Sequence, residues 1–283
     1  GSVLVLAGCA TAAGSTGDGD GDATLRIVAS TNVYGSLAAA IGGDDVEVTS
    51  IIDSLSQDPH SYEASARDQL TVSDAALILE NGGGYDSFLD GLVEASGATA
   101  PVLTAVEYSH DYEDAEHSDE EHADEEHAED DGHGHVEGFN EHVWYDPHTM
   151  EDFIGAVADE LGELDAAKAD TFTANADALL DQIAGLEGSL DDIAADHAGE
   201  KIFVTEPVPL YLTAAAGLEN ATPEAFSEAV EEGQDVPPAT LLEATDILES
   251  GDVRAVIVNA QTGGAETSEV EKLAEANDIP VLE

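Results

Sequence analysis

From residue 24 onward the chain alternates short apolar, β-branched runs with longer stretches of helical spacing. Leu25-Arg26-Ile27-Val28-Ala29 reads as a buried strand, and residues 34–41 as a helix closed by Gly42-Gly43. A second strand follows over 46–52, a short helix over 67–72, and a third strand over 75–79 ending at Asn81-Gly82-Gly83-Gly84. A helix over 88–95 and a strand over 102–106 complete this first series. The second half opens with a helix over 150–161. A long one follows from 166 to about 193, with Phe172, Ala176, Leu179, Leu180, Ile183, Leu186, Leu190 and Ile193 on one apolar face. At about 1.5 Å per residue it is roughly 40 Å long, enough to run the length of a two-lobed protein. Beyond it the alternation resumes: strand 201–205, helices 210–216 and 240–248, strand 255–259, helix 268–276 and a strand from 279 to 282. Strands alternating with helices over short links predict an α/β fold with mostly parallel sheets covered on both faces.

Charge adds a second constraint. The 283 residues hold 63 acidic and 6 basic side chains, a net charge of −57. The basic residues (Arg26, Arg67, Lys168, Lys201, Arg254 and Lys272) are scattered, so no basic patch exists for phosphates, and nucleic acid is excluded as a partner. Self-repulsion of this size is tolerable where molar salt shortens the screening length to about 3 Å, which points to a salt-loving source. A disordered acidic chain would look similar in charge, but 42% hydrophobic content and clear periodicity argue against it. The interruption is residues 110–138, where His110, His117, His122, His127, His133 and His135 stand among Asp and Glu. This segment reads as a mobile loop, either a plain solvated insertion or, better, a collector of divalent metal.

The lone cysteine, Cys9, excludes an internal disulfide, a thiolate zinc cluster and a CxxC pair. It ends a short apolar run, Val3-Leu4-Val5-Leu6-Ala7-Gly8, and a Gly/Ser/Thr/Asp linker follows. The run is too short to span a bilayer and resembles the end of a signal peptide; Leu6-Ala7-Gly8-Cys9 resembles a lipobox, with lipid on Cys9.

Chemistry gathers at predicted element ends. Asp58-Pro59-His60-Ser61-Tyr62-Glu63 follows the second strand, and Pro59 stiffens the turn that carries His60. His142 precedes a helix, and Glu206 follows the strand 201–205. In open α/β sheets, ligands bind beyond the carboxyl ends of strands. Two imidazoles and a carboxylate without sulfur suit Zn²⁺ or Mn²⁺. Taken singly, each has a plainer reading: His60 a loop histidine bonded to backbone, His142 one packed by Trp144, Glu206 a carboxylate at a helix N-terminus.

Val28-Ala29-Ser30-Thr31-Asn32-Val33-Tyr34-Gly35, Gly42-Gly43, Thr49-Ser50-Ile51-Ile52, Asp58-Pro59-His60-Ser61-Tyr62-Glu63 and Glu141-His142-Val143-Trp144-Tyr145-Asp146-Pro147 stand in an order that resembles the metal-binding lipoproteins of zinc and manganese ABC transporters. The resemblance covers residues 24–283. It implies two lobes, each with a central parallel sheet, joined by one long backbone helix, with the metal held between them. It divides the chain into a lipoprotein remnant and linker (1–23), an N-terminal lobe with its loop (24–150), helices including the connector (151–198) and a C-terminal lobe (199–283). His60 and His142 fall on the family's first two ligand positions. Glu206 falls on the third, where many zinc members have histidine and some manganese members glutamate. The fourth, usually acidic, is expected beyond Glu283.

The implied function is capture of a divalent metal, Zn²⁺ first and Mn²⁺ as the alternative, and its delivery to an ABC permease in the membrane. The expected protein is a monomer on the outer face of the membrane, without enzymatic activity. Two other classes compete. A secreted zinc hydrolase needs an open metal position and a general base, and no His-Glu-x-x-His helix is present. The other is a surface adhesin, or a metal store built on the loop alone; deletion of 110–138 would cost a store nearly all its binding, whereas a transporter receptor would keep its tight site.

Overall fold

The computed structural model describes residues 24–112, 138–259, 261 and 264–283. Two four-stranded sheets, each parallel throughout, form two lobes. The first is ordered β2-β1-β3-β4 and is built from β1 (Leu25–Thr31), β2 (Val46–Ile52), β3 (Leu77–Glu80) and β4 (Val102–Thr104). The second is ordered β6-β5-β7-β8 and is built from β5 (Lys201–Val204), β6 (Glu219–Asn220), β7 (Val253–Ile257) and β8 (Val281–Leu282).

Strand β1 shows why its sequence is a continuous apolar run. Ile27 and Ala29 face one core with Tyr34, Phe153 and Phe172, while Val28 faces another with Ile51, Val72, Ile78 and Leu89. Both faces are dry, as expected for a parallel sheet under helices. Helix α1 (Asn32–Gly42) covers the first face; α2 (Ala66–Ser73) and α3 (Phe88–Ser96) cover the second. A capping box between Ser65 and Asp68 starts α2. In the C-terminal lobe, Phe203 meets Phe226 edge to face inside a core that also takes Leu248, Val256 and Val270.

The chain passes once between the sheets, after α4 (Pro147–Leu164), through α5 (Ala169–His197). The 29 residues of α5 extend roughly 43 Å at about 1.5 Å each. Its N-terminal end is tied to the first lobe, where Lys168 Nζ lies 2.6 Å from Asp45 Oδ1 and Asn175 Nδ2 donates to the Ile41 carbonyl at 2.8 Å. Its C-terminal end lies against Gly217, at φ +70°, where a Cβ would stand 3.2 Å from that of Ala194. The predicted apolar face is only partly covered: Phe172, Ala176 and Leu190 are buried, whereas Leu186 and Ile193 are 41% exposed.

Predicted strand and helix ends shift by up to four residues. Two elements of the second lobe had no expected counterpart. These are β6 and α7 (Glu224–Glu231), which lie between α6 (Leu210–Ala215) and α8 (Pro238–Glu249); α9 (Ala265–Ala276) precedes β8. Of the histidine-rich loop, 113–137 lies outside the described residues, as does the Cys9 segment.

Candidate metal centre

The carboxyl ends of β1, β2 and β7 open on one cavity of about 600 Å³, lined among others by Thr31, Ile52, His60, His142, Glu206 and Ile257. His60 reaches it from the loop after β2. Asp58 Oδ1 accepts from the His60 backbone N–H at 3.1 Å and lies 3.2 Å from Nδ1, so the ring presents Nε2. Ser61 Oγ steadies the same carboxylate at 2.9 Å. Hydrogen bonding from His60 holds Asp58 down at about 2, against the penalty of its partial burial. Burial opposes charge on His60. The hydrogen bonds to Asp58 and Glu141 and the negative charges of Glu141 and Glu231 outweigh it and lift the imidazole to about 10.

His142 is fixed by a matching device. Asn140 Oδ1 accepts from the His142 backbone N–H at 3.2 Å and stands 2.7 Å from Nδ1. The ring is 2% exposed, with Tyr85 and Trp144 against it edge-on. Its Nε2 lies 3.0 Å from Glu231 Oε1, and His60 Nε2 lies 3.3 Å from Glu141 Oε1.

The backbone at Glu141 is held from below. Asn81, fully buried at the end of β3, donates through Nδ2 to the Glu141 carbonyl at 2.9 Å and accepts from the Tyr34 hydroxyl. The Asn81 and Gly82 N–H groups in turn donate to the Asp86 carboxylate at 2.7 and 2.8 Å. At Gly82, φ is +80° and a Cβ would stand 2.4 Å from Thr104 Cγ2, so only glycine fits.

One ligand atom from each of His60, Glu141, His142 and Glu231 lies within 4.8 Å of all the others. Two donors on one zinc ion are at most about 4.2 Å apart, so small side-chain movements suffice for all four to share an ion. Two neutral imidazoles with two carboxylates form a nitrogen–oxygen set for a divalent cation.

Of the three residues expected from the sequence, His60 and His142 are in this group. Glu206 lines the same cavity outside it, 3% exposed, with Oε2 accepting from Asn259 Nδ2 at 2.7 Å. Sequence reasoning passed over Glu141, which stood inside a recognised segment, and Glu231, which stood in a stretch without an assigned element. The spacing of Phe226 and Val230, with Glu228 between and Gly233 behind, is the signal that marks α7 and its last-turn carboxylate.

The sequence profile described as ZnuA, zinc-uptake complex component A, periplasmic, matches residues 27–283. The chain belongs to this family. It is 29% identical over 263 residues to the manganese-binding lipoprotein MntA of Halalkalibacterium halodurans, covering 90% of this chain and 77% of that protein. It is 28% identical over 249 residues to the high-affinity zinc uptake system protein ZnuA of Paracoccus denitrificans, covering 81% and 74%. A ZnuA crystal structure superposes with a TM-score of 0.68 at 20% identity, covering 92% of this chain and 90% of that one. The binding protein FpvC of Pseudomonas aeruginosa with Mn²⁺ superposes with a TM-score of 0.66 at 22% identity, covering 91% and 87%. These neighbours share the two-lobed fold. No helix among the described residues is long and apolar enough to cross a membrane.

Proposed function

We propose that this protein captures a divalent metal ion in the cleft between its lobes and hands it to the permease of an ABC importer. The observation that carries the reading is the convergence of His60, Glu141, His142 and Glu231 within 4.8 Å of one another. Family membership and relatives named for zinc uptake and manganese binding support it. His60 and His142 supply nitrogen, Glu141 and Glu231 oxygen, and Glu206 stands in the same cavity as a further carboxylate. The ion is cargo, so the protein is a carrier and not a catalyst.

Zn²⁺ is the preferred cargo, because intrinsic affinity at nitrogen and oxygen ligands favours it over Mn²⁺. The richness of the cavity in carboxylates favours Mn²⁺ as the second reading. The protein works as a monomer on the outer face of the membrane, held by lipid on Cys9, and the histidine-rich segment collects metal beside the cleft.

Competitive Zn²⁺ and Mn²⁺ titration of the full chain in high salt tests this. A tight site lost in both His60→Ala and His142→Ala is expected. A tight site that survives both substitutions but disappears on deletion of 110–138 would mark a metal store instead.

A further inference from the structure

The two imidazoles are held by the same local device but with different chemistry. Each has an acceptor side chain two residues upstream that takes both the backbone N–H and Nδ1 of the histidine: Asp58 for His60 and Asn140 for His142. At 58 the acceptor is a carboxylate. At 140 it is a carboxamide, and an amide also donates. Asn140 Nδ2 donates to the carbonyl of Pro207 at 3.2 Å, the residue after Glu206. The Asn140 carbonyl accepts from the hydroxyl of Tyr211, on α6, at 2.7 Å. Asn140 therefore touches His142 on one side and the second lobe on the other.

Its orientation is not ambiguous. A backbone N–H can only donate to Oδ1 and a proline carbonyl can only accept from Nδ2, so the two contacts fix which end is which. The His142 Nδ1 facing Oδ1 must then carry a proton, which leaves Nε2 as the nitrogen open to a metal.

We infer that Asn140 is a positioning residue that sets Nε2 of His142 as the metal-facing atom and, through Pro207 and Tyr211, fixes the distance between the ligands of the two lobes. An aspartate at 140 would keep the first task and lose the Pro207 half of the second, since its backbone carbonyl would still accept from Tyr211. It would offer His142 an acceptor but set a carboxylate against the Pro207 carbonyl. The inference rests on metal capture at this site for its affinity readout, though not for its ring readout.

The test uses the full chain in high salt, with Zn²⁺ affinity measured by competition and the His142 ring followed by ¹⁵N NMR with and without Zn²⁺. In the unsubstituted protein Nδ1 should carry a proton in both states and Nε2 should take the zinc. Asn140→Ala should lose this fixed assignment and weaken zinc binding about 10- to 100-fold, the usual effect of removing a group that orients a ligand. Asn140→Asp should restore the ring assignment while binding about fivefold more weakly, one hydrogen bond's worth. Tyr211→Phe should likewise leave the ring unchanged and weaken binding by a similar factor. An Asn140→Ala variant with the original ring assignment overturns the positioning role, even if its melting temperature falls. Unchanged affinity in both Asn140→Asp and Tyr211→Phe overturns the inter-lobe role. If the unsubstituted protein binds neither Zn²⁺ nor Mn²⁺ tightly, the proposed function fails, and the ring assignment without metal still decides the positioning of His142.

Discussion

At the scale of single residues, His60 is a proton site as well as a proposed ligand. With its imidazole raised to about 10, it is protonated at neutral pH in protein prepared without metal. Loading an ion must expel that proton. Zn²⁺ binding should therefore release protons near pH 7 and weaken as pH falls, which calorimetry in buffers of different ionisation enthalpy will read. The same shift bears on stability. The folded value lies above the unfolded one of about 6.5, so the contribution is complete below pH 6.5 and is lost as pH rises towards 10. The melting temperature of metal-free protein should fall across that window, and His60→Gln should flatten the fall. A second slope comes from Glu80. Its burial, and the nearby Asp86, Asp90 and Glu107, raise it to about 8 although Thr104 Oγ1 donates to it at 2.8 Å. Being raised, it too favours folding at low pH and costs stability as pH climbs through 8, so Glu80→Gln should raise the melting temperature most at pH 8 to 9. His60 and His142 were legible because each sits in a segment with its own backbone logic, a proline turn and a helix start. Glu141 was not read as a candidate ligand, because adjacency to a histidine in sequence does not say which way a carboxylate points.

At the scale of elements, strands were the easier part. Buried parallel strands are apolar on both faces, and β1 and β3 leave that mark plainly, while the edge strand β2 alternates until Ile51 and Ile52. Helix α7 was missed because it has only eight residues, a Pro223 before it and a sequence dominated by Glu. Its apolar stripe is little more than Phe226 and Val230, yet it carries Glu231 into the cavity. Phe226→Ala should cost about 3–5 kcal/mol, as large-to-small changes in a packed core do, and should also weaken metal binding by releasing α7. Glu231→Gln should weaken binding with little change in denaturation midpoint, which separates the proposed ligand from its support. The turn after β3 offers a matching case. Gly82→Ala places a Cβ against Thr104 and Val106 at a positive φ, which should cost about 1–3 kcal/mol. Because Asn81 next to it holds the Glu141 carbonyl, zinc affinity should fall as well; Gly91→Ala, inside α3 with open space at its Cβ, is the control, which should leave affinity unchanged and raise stability slightly.

At the scale of the whole molecule, the two lobes and the connecting helix followed from alternation on either side of one long amphipathic run. What the run did not reveal is how much of it is covered. The N-terminal part of α5 packs on the first lobe through Phe172 and Ala176, while Leu186 and Ile193 stay 41% exposed along the span between lobes. The lobes are joined besides by contacts that sequence gives no hint of, because their partners are up to 204 residues apart: Asn140 to Pro207, Tyr211 to Asn140, and Gln261 Nε2 to the Gln57 carbonyl at 2.9 Å. These contacts hold together a chain of net charge −57. Few cations offset that charge, and several of the ion pairs that exist are exposed, such as Arg26 with Asp74 at 3.4 Å and Lys272 with Glu269 at 3.4 Å. Exposed pairs contribute little and weaken further in salt, whereas the general repulsion is felt by every acidic residue. The balance has a sign. Raising salt from 0.1 to 1 M shortens the screening length from about 10 to about 3 Å and removes far more repulsion than attraction. The melting temperature should therefore rise steeply with KCl over that range and then flatten, without the divalent metal being present. A melting temperature unchanged or lowered by KCl would mean that the acidic surface is already accommodated by the fold itself, and the reading of this charge as an adaptation to salt would fail.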